Sequence, residues 1–237
     1  MSTYIYAITS AAHPLRLDNM VGVGQPPSEL RVVGTDDLSA VVSDAPADLR
    51  AKRRDLVAHQ TVLTSLLEDG AALPMRFGVL GPDDDQVITA LEQQHDDYSA
   101  RLKELNGCLE YNLKVARDEQ DLLRQIVNES GAVRELRERT RQNPGDHDAM
   151  LALGELISHE VQAHEQQDRE EITSRLERSA VRVVNGEPTK THFLNVSFLV
   201  ERDRAAAFTQ SVHEEAERWG DVFTHSLNGP LPPYSFV

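Results

Sequence analysis

The first fifty residues combine short apolar runs with polar, proline-rich sequence. Residues 4–8, Tyr-Ile-Tyr-Ala-Ile, are aromatic and β-branched, which predicts a strand buried on at least one face. Residues 14–28 hold three prolines and two glycines and predict a loop. Two apolar runs, residues 30–33 and 38–42, flank Gly-Thr-Asp-Asp, a spacing typical of a β-hairpin. These residues therefore predict three strands.

Helical periodicity follows in two segments that are separated by an extended one. Across residues 52–68, Leu56, Leu63 and Leu66 recur at helical spacing, and a glycine two residues later supplies a stop. Residues 73–80 return to an extended pattern. Residues 83–105 predict a second helix, because a proline and an acidic first turn open it.

The second half of the chain alternates in the order strand, helix, strand, strand, helix, strand. The predicted strands are residues 108–116, 181–184, 193–200 and 222–227. The predicted helices are residues 148–178 and residues 203–219, the second with Asp203 as its cap. A polar helical insert spans residues 119–141. This order is that of the ferredoxin-like βαββαβ fold. We therefore predict an α+β protein (mixed α/β) of two domains. Residues 1–106 form an N-terminal α/β domain, and residues 107–237 form a C-terminal ferredoxin-like domain with a helical insert and a Pro-rich docking tail.

Composition and charge narrow the function classes. The 237 residues carry 24 Lys and Arg against 39 Asp and Glu, a formal net charge of −15. This charge argues against nucleic acid or an anionic membrane as partner, because both are bound through clustered basic side chains. No segment approaches the roughly 20 apolar residues of a membrane-spanning helix, and the N-terminus does not have the pattern of a secretory signal. The single cysteine, Cys108, fits a reducing compartment, so we expect a cytoplasmic protein.

Motifs for catalysis or metal binding receive little support. His159 and His164 are five residues apart and diverge by about 140° around a straight helix, so they cannot chelate one metal together. Glu160, His164 and Asp168 share a stripe at i, i+4 and i+8, for which a solvated helix face with weak charge pairs is favoured over a cation site. The Walker A, nucleophile-elbow and dinucleotide-binding patterns are absent. We expect no catalytic residue, no cofactor and no metal.

Two segments concentrate unusual residues. Residues 73–78, Leu-Pro-Met-Arg-Phe-Gly, place Arg76 between a methionine and a phenylalanine. The simplest alternative is a strand that begins at its proline and whose arginine pairs with one of the many carboxylates. Residues 229–237, Gly-Pro-Leu-Pro-Pro-Tyr-Ser-Phe-Val, are too stiff and apolar for a disordered end. We expect this tail to dock through Tyr234 and Phe236, either in cis across its own domain or into a partner.

These segments resemble the gas vesicle protein F/L family. Its members open with a Tyr-x-Tyr-Gly-Ile-like strand, carry His-x-x-Val followed by Leu-Pro-x-Arg-Phe-Gly, and end in Gly-Pro-x-Pro-Pro-Tyr-Ser-Phe. The matching positions in this chain are residues 4–8, His59 with Val62, residues 73–78, Glu110 with Lys114, and residues 229–236. Ala7 stands where the family usually has glycine, and Leu231 stands where tryptophan is common.

The resemblance implies two α/β domains, the second a modified ferredoxin-like one, and an accessory or minor structural protein rather than an enzyme. The implied partners are the small hydrophobic gas vesicle shell protein and other gas vesicle accessory proteins. We expect noncovalent binding through apolar grooves and an exposed sheet edge, in support of vesicle assembly or nucleation. Arg76 and Phe77 are expected to organise the domain junction, and Tyr234 and Phe236 to anchor the tail.

Two other functions stay open at this point. Ferredoxin-like domains often bind metabolites or dimerise through their sheets, so a small-molecule sensing or regulatory module is one alternative. The other is a metal-dependent enzyme that uses Glu160, His164 and Asp168. A cation or metabolite that raised the melting temperature by several degrees would favour one of these.

Overall fold

The computed structural model describes residues 2–237, and the chain divides into two compact units. The first unit contains Met1–Glu110, Leu199–Arg202 and Gly229–Val237, and the second contains Tyr111–Phe198 and Asp203–Asn228. The C-terminal tail thus groups with the N-terminal residues. The domain boundary at residues 106 and 107 stays a prediction.

A five-stranded sheet and three helices build most of the first unit. The strands are β1 (Thr3–Ser10), β2 (Leu30–Gly34), β3 (Leu38–Asp44), β4 (Ala72–Pro74) and β5 (Leu80–Gly81), and the helices are α1 (Arg53–Asp69), α2 (Asp84–Gln93) and α3 (His95–Leu105). The strand order is β2-β3-β1-β4, with β5 also paired to β1, and the pairs are antiparallel. Because β1 lies in the middle, nearly all its residues are buried.

The predicted hairpin and first helix are confirmed. Gly34 pairs with Ser39 across the turn between β2 and β3. Helix α1 ends where Gly70 donates its N–H to the carbonyl of Leu66. The inner face of α1 repeats at helical spacing and packs on Tyr4, Tyr6 and other residues of the sheet; its buried members are Asp55, His59, Val62, Leu63 and Leu66.

Two predicted elements of the first unit are interrupted. The helix predicted over residues 83–105 breaks at Gln94, whose backbone (φ −113°, ψ 20°) ends α2 and starts α3. The extended segment predicted over residues 73–80 is strand only at its two ends. Between them the N–H of Val79 donates to the carbonyl of Arg76, and Gly78 takes a positive φ of 93°, so the chain turns.

The second sheet has the predicted ferredoxin-like order. Its strands are β6 (Cys108–Arg117), β7 (Arg182–Asn185), β8 (Leu194–Glu201) and β9 (Phe223–Leu231), and the helices are α4 (Glu119–Glu129), α5 (Gly131–Gln142), α6 (His147–Leu176) and α7 (Ala205–Trp219). The order β7-β8-β6-β9 places the first and third strands of the motif in the centre. Asp203 is not the cap of α7, because it lies in a short 3₁₀ turn, Arg202–Arg204, and the capping position is Arg204.

The helical insert packs on α6. Leu122, Ile126 and Val133 form a small core with apolar residues of α6. Farther along α6, Asp168 lies 3.1 Å from the guanidinium of Arg117, and burial raises the pKa of its carboxyl despite that cation. Of the solvated helix face with weak charge pairs predicted for this part of α6, Asp168 has the charge pair but is half-buried and not solvated.

Candidate interaction surface

An aromatic cluster lies between the sheet of the first unit and α1. We define it as Tyr4, Tyr6, His59, Phe77 and Tyr234. The His59 ring stacks on Tyr6 at 5.6 Å with an interplanar angle of 26°, and Phe77 meets Tyr4 and His59 edge-on at 5.8 and 5.7 Å. Such contacts add to the apolar burial of the rings, so the cluster is a rigid base for the surface around it.

A chain of hydrogen bonds fixes the turn of residues 75–79 to this cluster. The Nε2–H of His59 donates to the carbonyl of Met75 at 3.1 Å, which leaves Nδ1 to accept the hydroxyl of Tyr4 at 2.9 Å. The Tyr4 hydroxyl in turn accepts the N–H of Gly78 at 3.3 Å. Burial lowers the pKa of His59 and raises the pKa of Tyr4, so both side chains are neutral at pH 7.

A second chain of hydrogen bonds fixes the proline-rich loop beside β1. The Tyr6 hydroxyl accepts the N–H of Val23 at 2.8 Å and contacts Ser43 at 3.0 Å. The buried carboxylate of Asp55 accepts the N–H of Gly24 at 3.0 Å, and this hydrogen bond, with a smaller effect from the neighbouring Arg54, lowers the pKa of Asp55. The loop predicted from its prolines is therefore an ordered support for the start of α1.

An open groove of about 500 Å³ lies on the outer side of this cluster, along α1. We call it the α1 groove; it is lined by Arg53, Leu56, Val57, His59, Gln60, Arg76, Phe77 and Tyr234. Most of the lining is apolar, and Leu56 and Val57 are 41% and 56% exposed. Leu56 lies two helical turns before the buried Leu63, on nearly the same side of α1. The apolar stripe of α1 thus continues past the core into the groove.

Two arginines border the α1 groove without a partner. Arg53 begins α1 and Arg76 lies in the turn of residues 75–79, and both side chains are exposed. Among residues 2–237, neither guanidinium group forms a hydrogen bond or an ion pair, whereas the adjacent Arg54 contacts the carboxylate of Asp55 at 3.1 Å. The simple alternative for Arg76, a pair with a carboxylate of this chain, is therefore wrong for the described residues. Its role as an organiser of the domain junction stays a prediction.

The C-terminal tail docks in cis on the first unit. Tyr234 packs against the core of this unit, and its hydroxyl lies 3.5 Å from Gln60. The N–H and hydroxyl of Ser235 both donate to the buried carboxylate of Glu110, at 2.9 and 2.7 Å, and Phe236 is 3% exposed. Burial raises the pKa of Tyr234 to about 12. The tail therefore supplies one wall of the α1 groove.

The sequence motifs included several of these residues without indicating their common location. Phe77 and Tyr234 meet in the aromatic cluster, Arg76 borders the groove, and Phe236 is buried in the tail. Arg53 and Val57 were missed. For Val57, the signal is the run of residues 56–67, which contains no Asp, Glu, Lys or Arg in an otherwise acidic chain; Arg53 has no such signal.

The residues considered for metal binding do not converge on one point. In α6, Glu160 contacts the hydroxyl of Ser130, and His164 lies 3.6 Å from Glu129, so each has its own partner on the insert. Within residues 2–237, no three His, Cys, Asp or Glu side chains are placed to share a metal ion. None of the helices in this range is sufficiently long and apolar to cross a membrane.

Comparison with known proteins identifies the family. The family model described as "Gas vesicle synthesis protein GvpL/GvpF" matches residues 2–237. "Gas vesicle protein F" of Streptomyces sp. (strain CB03234) is 42% identical over 238 residues, covering 100% of both chains. "Gas vesicle protein L" of the same strain is 29% identical and covers 99% of this chain and 92% of the relative.

A solved structure has the same fold. The crystal structure of the gas vesicle protein GvpF from Anabaena sp. PCC7120 aligns with a TM-score of 0.84 at 20% identity, over 99% of this chain and 97% of that one. The mixed α+β fold and the resemblance stated from the sequence motifs are thus confirmed. The chain belongs to the GvpL/GvpF family of gas vesicle synthesis proteins.

Proposed function

We propose that this chain is a gas vesicle accessory or minor structural protein of the cytoplasm, associated with the vesicle, which binds the small hydrophobic shell protein and supports vesicle assembly or nucleation. The observation that carries the proposal is the α1 groove. It exposes an apolar surface, including Leu56 and Val57, on a chain with a net charge of −15. We take this apolar surface on an otherwise charged protein as the proposed interaction site.

A subunit that forms a gas-filled wall exposes apolar surface before assembly, which creates an aggregation hazard. Binding in the α1 groove covers part of that surface, and each Å² of apolar area removed from water contributes roughly 25 cal/mol. The negative charge of the chain keeps the complex dispersed through repulsion between complexes. Recruitment of the other gas vesicle accessory proteins belongs to the same proposal.

The groove is proposed to act by binding alone, without bond-making. Its histidine, His59, uses both ring nitrogens in hydrogen bonds to Tyr4 and Met75, so it has no free nitrogen to serve as a base. Cys108 is buried, and burial raises the pKa of its thiol, which disfavours the nucleophilic thiolate. The family description names gas vesicle synthesis and no reaction.

Capture of the host's shell protein tests the proposal. We expect the full chain to retain the shell protein, and the double variant Leu56→Asp/Val57→Asp to retain it at least about tenfold more weakly, because two partly exposed aliphatic side chains lose their apolar contact. The matched control is Leu151→Asp, since Leu151 is 64% exposed on α6, in the second unit. The same variants are used to complement a deletion strain, and vesicles are counted by microscopy.

Each outcome of the capture experiment has its own consequence for the proposal. Circular dichroism melts establish that the variants are folded. Failure of the wild-type chain to capture the shell protein, together with normal vesicles in the deletion strain, would overturn the proposal. Capture that Leu151→Asp abolishes and Leu56→Asp/Val57→Asp does not would move the binding surface to α6.

A further inference from the structure

Glu110 is a buried acidic residue that the sequence motifs singled out and that the proposed function does not use. It lies on β6, in the part of this strand that belongs to the first unit, and is 4% exposed. A carboxylate at that depth needs hydrogen-bond donors, because burial removes it from water. Its Oε2 accepts the N–H of Ser235 at 2.9 Å, and its Oε1 accepts the hydroxyl of the same residue at 2.7 Å. One residue of the tail thus bonds to both carboxylate oxygens.

The backbone of the tail makes the N–H of Ser235 available for this contact. The tail ends in a short 3₁₀ turn, Tyr234–Phe236, of which Ser235 is the middle residue. The N–H groups of the first and last residues of the turn donate to carbonyls within the tail, those of Pro232 and Pro233, at 2.7 and 3.1 Å. The N–H between them donates to Glu110 instead, so the turn is tied to β6 at its centre.

The two aromatic side chains of the turn lie on either side of Ser235 in the chain. Tyr234 packs against the core of the first unit and lines the α1 groove, and Phe236 is 3% exposed. Chain ends are usually poorly ordered unless specific contacts hold them. Because the turn is short, contacts that fix Ser235 also fix the positions of both neighbouring rings.

We propose that Glu110 is a positioning residue, which holds the tail closed on the first unit and thereby keeps Tyr234 in the wall of the α1 groove. A hydrogen bond to a charged acceptor is roughly twice as strong as one between neutral groups, and Ser235 makes two of them. Glu110 does not line the groove itself, so it acts on the groove through the tail. The consequence for binding rests on the function proposed above, whereas the clamp on the tail does not.

Digestion of the full chain with carboxypeptidase Y, followed by mass spectrometry, tests the clamp. Phe236 is released only from molecules in which the tail has lifted off, so the release rate reports the population of the open tail. Each rate is divided by that of a synthetic peptide with the same tail sequence. We expect Ser235→Ala, which loses one hydrogen bond to the carboxylate, to raise the corrected rate about tenfold. Glu110→Ala, which loses both, should raise it about a hundredfold.

A conservative variant and a matched control separate the clamp from a general loss of stability. In Glu110→Gln the amide oxygen accepts the N–H of Ser235 and the amide NH₂ donates to its hydroxyl, so we expect only about a threefold rise. Glu215 is the control, because it is also a buried glutamate, 7% exposed, but lies on α7 in the second unit and pairs with Arg218. Glu215→Ala should release Phe236 within twofold of the wild-type rate. Circular dichroism melts establish that each variant is folded.

Capture of the host's shell protein measures the effect on the groove. We expect Glu110→Ala to weaken capture no more than Tyr234→Ala does. The double variant Glu110→Ala/Tyr234→Ala should bind as weakly as Tyr234→Ala alone, because both changes remove the same wall of the groove. Additive effects of the two changes would overturn the positioning role, since Glu110 would then act independently of Tyr234.

The results for the clamp and for the proposed function are distinguishable. If Glu110→Ala releases Phe236 no faster than wild type, or if Glu215→Ala releases it as fast as Glu110→Ala, the clamp is refuted and the proposed function is unaffected. If the wild-type chain does not capture the shell protein, the proposed function falls, and the digestion rates alone decide whether Glu110 holds the tail.

Discussion

His59 makes the stability of the folded chain depend on pH in a narrow and predictable range. The ring is 3% exposed, and its two nitrogens bond to the Tyr4 hydroxyl and the Met75 carbonyl. Burial lowers the pKa of His59 below its ordinary value of 6.5. Protonation would also place a hydrogen on Nδ1, where the ring accepts the hydroxyl of Tyr4, so the folded chain resists the proton.

The direction and size of the effect follow from this difference in pKa. Above pH 6.5 the ring is neutral in both the folded and the unfolded chain, so the full stability is present. Below pH 6.5 the unfolded chain binds a proton that the folded chain does not, and the free energy of unfolding decreases until the pH reaches the folded pKa. One proton is worth about 1.4 kcal/mol per pH unit, so the loss between pH 7.5 and 5.5 is at most about 1.4 kcal/mol.

Urea unfolding at pH 7.5, 6.5 and 5.5, followed by circular dichroism, measures this loss. We expect His59→Gln to be less stable than wild type at pH 7.5, because the Tyr4 hydroxyl loses its acceptor, but to lose less stability on acidification. The exposed His147 provides the control, since His147→Gln should follow the wild-type pH dependence. Asp55 does not interfere, because its lowered pKa affects stability only below about pH 4. Equal losses in wild type and His59→Gln would refute the reasoning.

Two further stability predictions concern packing. Phe236→Ala should lower the free energy of unfolding by about 3–5 kcal/mol, because it empties a site that is 3% exposed; an unchanged urea midpoint would contradict docking of the tail in cis. Gly34→Ala should lower the melting temperature, because the added Cβ would collide with the carbonyl of Leu38. Gly154→Ala, with open space around the added Cβ, should instead stabilise α6 by about 0.5–1 kcal/mol. If Gly34→Ala instead melted at a higher temperature than Gly154→Ala, crowding around the added Cβ would not explain the stability of these two variants.

Prediction from the sequence succeeded where the signal was local. The hairpin of β2 and β3 follows from a turn of Gly, Thr and Asp between two apolar runs, and the succession of strands and helices from β6 to β9 follows from alternating periodicity. The boundaries of helices and the breaks within them were harder to predict from the sequence. The interruption at Gln94 has no glycine or proline to mark it, and the start of α7 at Ala205 follows a 3₁₀ turn that periodicity does not distinguish from helix.

In the candidate site, too, some residues were recognisable from the sequence and others were not. The motif residues Arg76, Phe77 and Tyr234 were recognisable from the sequence, because unusual residues cluster around them. Nothing in the sequence indicated that Arg53 lies in the same groove, because Arg53 is 23 residues from Arg76 in the chain and 181 residues from Tyr234. Packing of α1, the turn and the tail on one aromatic cluster brings them together, and such long-range packing leaves no periodic signal.

Charge, periodicity and motifs are properties of the chain that survive in any conformation, so they sufficed for the α+β class, the acidic surface and the family. Which surfaces are left uncovered depends on what packs against what. Leu56 and Leu63 occupy the same side of α1, yet one is 41% exposed and the other fully buried, because the core of the first unit covers only part of that stripe. The groove, its unpaired arginines and the docking of the tail in cis were therefore determined by the folded structure.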